Sequence, residues 1–167
     1  MAVTAHLLDT LPPESRDRLT ELAKETEFPA GTRIFEEGRR ADRFWIIRRG
    51  NVRLDMRVPG RQPVTVESLQ SGDLVGWSWL FPPYTWHLAA RAVNDVQVLE
   101  FDADVVRELC ETDPEFGRAV VLHVAEVIGS RLRAARRHIL ELYGPYGTGR
   151  PGGSDADDEG DDDANPN

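Results

Sequence analysis

The chain contains a single cysteine, Cys110, which excludes an internal disulfide framework and every metal site built from several thiolates. The residues before it, Val105-Val106-Arg107-Glu108-Leu109, set it among the apolar positions of a helix, and no histidine stands close in sequence to activate it. A buried thiol is expected rather than a nucleophile. Long apolar runs are also missing. Nothing approaches the roughly eighteen apolar residues of a membrane span, and residues 1–30 carry acids and the Pro12-Pro13 pair where a secretory signal needs an unbroken apolar core. The expectation is a cytoplasmic chain with no membrane association. The sequence also lacks a phosphate-binding P-loop, a nucleophile–base pairing and paired carboxylates in a catalytic setting, so an enzyme is not expected.

Basic residues are absent from the C-terminal end. Of the 29 acids behind the net charge of -9, seven (Asp155, Asp157, Asp158, Glu159, Asp161, Asp162 and Asp163) lie in residues 151–167, leaving 22 acids against 20 bases before them. The body is nearly neutral. Residues 151–167 have no Val, Leu, Ile or aromatic residue and cannot offset the entropy of ordering by burial, so 145–167 is expected to be a disordered acidic tail.

What is present divides by period. Thr10 followed by Pro12-Pro13 reads as a helix start, and Leu19, Leu22 and Ala23 give a narrow apolar stripe, making 1–27 an N-terminal helical segment. From Phe28 to Phe101 turn residues arrive every ten or so positions, as at Ala30-Gly31, Glu37-Gly38, Gly50-Asn51, Pro59-Gly60, Ser71-Gly72 and Asn94-Asp95. Val52, Leu54, Met56 and Val58 alternate with Arg53, Asp55 and Arg57, the period of a half-buried strand. Phe44 to Ile47 reads as a more deeply buried strand, and Gly50-Asn51 as a hairpin turn joining the two. Residues 28–101 are therefore expected to form an antiparallel barrel or sandwich.

After Phe101 the period is helical again. Asp102 and Asp104 can cap a short helix, and Asp113-Pro114-Glu115 opens a long one that has no reason to stop before Gly144, so 102–144 is a C-terminal helical region. On the long helix Ile128, Leu132, Ala135, Ile139 and Leu142 are spaced as a two-stranded coiled-coil seam. About thirty residues at 1.5 Å each reach about 45 Å, longer than a small barrel is wide. Homodimerisation through that seam is the expectation; folding back wholly onto the barrel is the alternative. Arg131, Arg133, Arg136 and Arg137 read as a solvated face.

Three stretches carry a resemblance: Gly31-x-x-Ile34-Phe35-x-x-Gly38; then Asp42-Arg43-Phe44-Trp45-Ile46-Ile47-Arg48-Arg49-Gly50-Asn51-Val52-Arg53-Leu54; then Gly72-Asp73-Leu74-Val75-Gly76. Together they resemble the cyclic-nucleotide-binding domain of the catabolite-activator and fumarate-nitrate regulator (Crp/Fnr) superfamily, over about residues 10–143. The resemblance implies a mainly β fold with flanking helices, an antiparallel β-roll (double-stranded β-helix or jelly-roll) with an N-terminal helix and a long C-terminal helix. It also implies a ligand cleft under a phosphate-binding cassette and a dimer made through the last helix. In the family an arginine pairs with the cyclic phosphate and an acid holds the ribose hydroxyl. Gly72 and Asp73 stand where the family has Gly-Glu, and Asp73 can still accept that hydroxyl.

At the arginine's place stands Trp86 or His87. Arg91 lies five residues beyond Trp86, an odd separation that turns it to the opposite face. Losing the guanidinium removes a charge-assisted bond of about 1.5–3 kcal/mol, so tight cyclic-nucleotide binding is not expected and the cofactor stays unidentified. Trp77 to Trp86 instead gathers five of the 13 aromatic residues, like an aromatic-rich cassette of small stand-alone members of this superfamily. The cluster either lines a cleft for a flat ligand or fills it. The candidate ligand-binding residues are Gly72, Asp73, Leu74, Trp77, Trp79, Trp86 and His87. A lone His87 or His123 reads as a hydrogen-bonded residue rather than a metal ligand, and no metal is expected. The few residues after Tyr143 leave no space for the family's winged helix, so direct DNA binding is not expected. Two functions stay open: a sensory module that signals a small ligand's presence through the long helix to a dimer mate or a protein partner, feeding transcriptional regulation, and a ligand-free interaction or assembly module with a degenerate pocket.

Overall fold

Proline decides where the first helices begin. In the computed structural model, which describes residues 6–143, α1 (Leu7–Thr10) is a single turn and α2 (Pro13–Leu22) starts with Pro13 in its first turn, where the missing N–H has no helical partner to lose. Thr10, expected to start this helix, instead ends the turn before it, its hydroxyl donating to the Leu7 carbonyl at 2.9 Å. Of the expected stripe only Leu19 is wholly buried; Leu22 is exposed. The acidic tail expected over 145–167 lies outside the described residues.

Eight strands follow: β1 (Lys24–Phe28), β2 (Arg33–Phe35), β3 (Arg43–Arg49), β4 (Val52–Met56), β5 (Val64–Leu69), β6 (Leu74–Val75), β7 (Ala89–Ala92) and β8 (Val96–Asp102). They form two four-stranded antiparallel sheets, β1-β8-β3-β6 and β2-β7-β4-β5. This is the β-roll that the resemblance implied. Strand β1 begins before the expected Phe28 because the polar run Lys24-Glu25-Thr26-Glu27 makes an edge strand: it pairs with β8, from Lys24 opposite Glu100 to Phe28 opposite Val96, by main-chain bonds that require no apolar alternation.

The expected hairpin at Gly50-Asn51 is corrected by the topology. β3 and β4 belong to different sheets, so the turn carries the chain across the sandwich rather than back along one sheet. Gly50 has φ +95°, and a Cβ there would stand 2.5 Å from the Asp95 carbonyl oxygen. Asn51 N–H donates to Asn94 Oδ1 at 2.8 Å, and Asn94 Nδ2 donates to Asn51 Oδ1 at 3.0 Å. Two turns thus lock together, and that packing rather than a hairpin is what glycine serves here.

Trp45 of β3 stacks on Phe35 of the facing sheet at 5.7 Å, and on the other face of β3 Phe44 stacks on Trp79 at 4.1 Å and on Phe101 at 4.8 Å. Helix α3 (Ala103–Thr112) is capped as expected: the Asp102 carboxylate accepts from the Asp104 and Val105 N–H groups. Helix α4 (Pro114–Tyr143) runs through Asn-free, Gly-poor sequence for 30 residues. It buries Phe116, Gly117, Val120, His123, Val124 and Val127, one stripe at helical spacing. The described residues divide into two units, one up to Leu132 and one from Arg133. The first holds both sheets. In the second, residues 133–143 are the final turns of α4 and are all exposed.

Candidate functional site

The β5–β6 connection is built by glycine and carboxylate together. Gly72 takes φ +89°, and its N–H donates to the Ile47 carbonyl at 2.7 Å, while the Ile47 N–H donates to the Asp73 carbonyl at 3.1 Å. The Asp73 carboxylate closes its own turn, one oxygen accepting from the Gln70 N–H at 2.9 Å and the other lying 3.8 Å from His6 Nε2. Asp73 is therefore already engaged within the fold.

The aromatic segment is pinned from both ends. Trp86 donates its N–H to the Arg39 carbonyl and accepts from Gly38 N–H, at 2.9 and 2.8 Å. Its ring stacks on Phe35 at 3.9 Å and lies 6.1 Å from Trp45, and it is 4% exposed. Gly76, with φ +90°, lets that ring approach so closely that a Cβ would meet it at 2.6 Å. Trp79 is 0% exposed and donates its indole N–H to the Gly76 carbonyl at 3.2 Å. The Arg107 guanidinium of α3 donates to the Trp79 carbonyl, pairs with Asp104 and sits 4.4 Å over the Tyr84 ring. Trp77 is half-buried beside the exposed His87, their rings 5.6 Å apart.

Two small cavities flank this segment. Gly72, Asp73 and Leu74 line the first, of about 60 Å³, with His6, Glu67, His123, Ser130 and Arg131. Trp77, Trp86 and His87 line the second, of about 30 Å³, with Phe35, Leu54, Leu88 and again Arg131. Trp79 borders neither of these two. The residues singled out from sequence are thus divided, and Arg131 is the side chain that both cavities share. Each has room for about a water or two, against the roughly 300–1,000 Å³ of small-molecule sites.

Arg131 was expected on the solvated face of the long helix; the structure corrects this. Its Nε lies 2.8 Å from Glu67 Oε2, a terminal nitrogen donates to the Leu74 carbonyl at 2.9 Å, and its side chain is 16% exposed. Arg133, Arg136 and Arg137 are exposed. The signal was present: Arg131 follows Val124 and Val127 by seven and four residues, continuing the buried stripe. Burial pushes the Glu67 carboxyl above its ordinary value, outweighing the attraction of Arg131. Burial also pushes His123 below its ordinary value, helped by His6 and opposed by Glu126. His123, expected to be hydrogen-bonded, is 4% exposed and its Nδ1 has no partner among the described residues.

Among the described residues no three His, Cys, Asp or Glu side chains come together as a metal site. Cys110 is half-buried, and burial, with Glu111 and Asp113, pushes its thiol up to about 11, the reverse of activation. No described helix is long and apolar enough to cross a membrane. Of the expected seam, Ile128 packs partly on the core, whereas Leu132, Ala135, Ile139 and Leu142 are exposed.

Comparison with known proteins agrees with this geometry. The family model described as Cyclic nucleotide-binding domain matches residues 25–113, just over half of the chain. The CRP-like cAMP-activated global transcriptional regulator of Mycobacterium tuberculosis is 25% identical over 138 residues, which are 83% of this chain and 60% of the relative. The chain therefore spans less than two thirds of that protein. The catabolite activator protein of Thermus thermophilus superposes with a TM-score of 0.67 at 26% identity, covering 81% of this chain and 62% of its own. A cyclic nucleotide-binding domain from Methylobacillus flagellatus reaches 0.73 over 86% of this chain and 84% of its own, at 15% identity, a likeness of fold.

Proposed function

This chain belongs to the cyclic nucleotide-binding domain family, and on that premise we propose that it is a regulatory module rather than an enzyme, whose cleft reports its occupancy through α4. The observation that carries the reading is Arg131. It stands on α4, it borders both cavities, and it bonds to β5 and to the Leu74 carbonyl at the start of the cassette. Whatever enters either cavity must meet a side chain of the long helix. Displacing Arg131 removes the ion pair with Glu67 and frees one turn of α4, so ligand binding and helix position become one equilibrium.

Signalling then passes to a second copy or a protein partner through the exposed Leu132, Ile139 and Leu142. The ligand is not a tightly held cyclic nucleotide. Among the described residues the cavity beside Trp86 is lined by one guanidinium, that of Arg131, and Arg131 is committed to Glu67.

A second reading has its own observation. Trp86 and Trp79 are buried and stacked on Phe35 and Phe44, so the aromatic segment fills the space between cassette and sheet, as a ligand-free assembly module would require. One experiment separates the two. A thermal-shift screen of nucleotides, haem and flavins, with tryptophan fluorescence, is run on the unchanged chain and on Trp86→Ala. A ligand that raises the melting temperature and shifts the fluorescence supports the sensor. No stabilisation by any compound, with a Trp86→Ala cost of about 3–5 kcal/mol, supports the filled core.

A further inference from the structure

The sheet β2-β7-β4-β5 carries three arginines in one row. Arg33 is opposite Arg91, and Arg91 is opposite Arg53. Directly opposite residues of antiparallel neighbours share a face about 4.5–5.5 Å apart. The alternate positions Ala90, Ala92, Val52 and Leu54 are buried in the core, so the arginine row looks away from the sandwich interior.

Like charges directly opposite one another destabilise a sheet. The flanking members of this row are compensated: Arg33 meets Glu36 at 2.7 Å and Arg53 meets Asp55 at 3.1 Å. The central one is not. No carboxylate of the described residues pairs with Arg91, and its Nε is shielded from water without an acceptor. The groove over the row has a volume of about 590 Å³, and Arg57, Glu36, Glu37 and Asp55 complete its charged lining. Four positive groups face three negative ones, and one guanidinium in the middle lacks both counter-charge and acceptor.

We propose that this row is a binding site for a small phosphate-bearing ligand, on the face of the sheet turned away from the core and separate from the cavities at Arg131. A planar guanidinium fork matches phosphate oxygens two at a time. A phosphate seated on the Arg91 fork supplies the counter-charge that the row lacks and screens the repulsion along it, and its remaining oxygens face the forks on either side. A carboxylate, with two oxygens, satisfies only one fork. The groove's volume lies within the roughly 300–1,000 Å³ of small-molecule sites. A row kept against the local rule for like charges is where function outweighs stability.

The test uses the full chain and inorganic pyrophosphate at low ionic strength, followed by the arginine Nε–H resonances in NMR. The Arg91 signal is expected to shift and saturate, with those of Arg33 and Arg53 following. Arg91→Gln, which keeps a polar stem without the fork, is expected to weaken pyrophosphate binding about ten- to a hundredfold. Because it relieves the row, it should melt no lower than the unchanged chain in anion-free buffer. Pyrophosphate should raise the melting temperature of the unchanged chain and not that of Arg91→Gln. An Arg91 signal that does not move, an equal response to chloride, undiminished binding by Arg91→Gln, or an Arg91→Gln chain that is less stable without any anion would each overturn the site. None of these readouts involves the cavities at Arg131.

Discussion

Arg131 of α4 holds its Nε 2.8 Å from Glu67 Oε2 of β5, so the long helix is fastened to the roll by a pair of opposite charges at the edge of the cassette. Both partners are largely withdrawn from water, with side chains 16% and 32% exposed. Such a pair is costly to break from one side, because the charge left behind has lost its hydration as well as its partner.

Arg131→Met keeps the stem and removes the charge, and it is expected to destabilise the chain by about 1–3 kcal/mol. Adding Glu67→Gln should return part of that loss. Denaturant unfolding of both single variants and the double variant measures the coupling, expected at about 0.5–2 kcal/mol. A coupling of zero shows that the two residues act independently and removes the link between cleft and helix.

Gly76→Ala combines two penalties, an unfavourable positive φ and a methyl group 2.6 Å from the Trp86 ring. A loss of about 1–3 kcal/mol is expected. In a Trp86→Ala background the steric part disappears, so the same substitution should cost clearly less there. Equal costs in both backgrounds would show that the ring does not rest on this glycine.

Cyclic AMP and cyclic GMP are expected to bind no tighter than high micromolar. The family's charge-assisted bond to the phosphate is absent beside Trp86, and Asp73 already accepts from Gln70. Calorimetry that returns a sub-micromolar constant for either nucleotide contradicts this.

The pH dependence of stability is expected to carry a His123 component. Burial and His6 hold His123 below its ordinary value of 6.5, with Glu126 pulling the other way. The unfolded chain then binds the proton that the folded chain refuses. The stabilisation is complete above pH 6.5 and is lost as pH falls through the lowered folded value. Glu67, raised by burial, runs oppositely, losing stability as pH rises from the ordinary carboxylate range through its folded value. Comparing melting curves of the unchanged chain and His123→Gln isolates the histidine part. Parallel curves over roughly pH 5 to 7, the window of an ordinary imidazole, refute it.

The exposed seam predicts association. Leu132→Glu with Ile139→Glu should place charges in a desolvated interface and give a monomer where the unchanged chain is a dimer. Light scattering decides it: a monomeric unchanged chain at tens of micromolar ends the idea.

Much of the fold was legible because local chemistry dictates it. Turn glycines, the Asp102 cap and the Pro114 start each act within a few residues, and the elements they mark are where they were expected. The alternation expected from Val52 through Val58 holds only for Val52 and Leu54, because an irregularity in the pairing after Leu54 leaves Asp55 buried and Met56 exposed, and the strand ends at Met56. The polar strand β1 was not legible, since an edge strand is held by main-chain bonds to β8 and its side chains carry no periodic signal. Nor was the crossing at Gly50-Asn51. A positive φ serves a hairpin and a sheet-to-sheet turn equally well, and only the pairing of β3 with β8 tells them apart.

The site divides in the same way. The composition of the cassette, the glycine that lets Trp86 approach and the lack of an arginine at its place can all be read along the chain. That Asp73 turns back on its own loop, that Trp79 lies in the core and that Arg131 reaches into both cavities follows from how the elements pack. The same packing sets Arg33, Arg91 and Arg53 side by side, although they come from three strands up to 58 residues apart in sequence. The physical reason is range: capping, turn and period act over a few residues of chain, whereas burial and charge pairing depend on which distant surfaces the two sheets and α4 bring together.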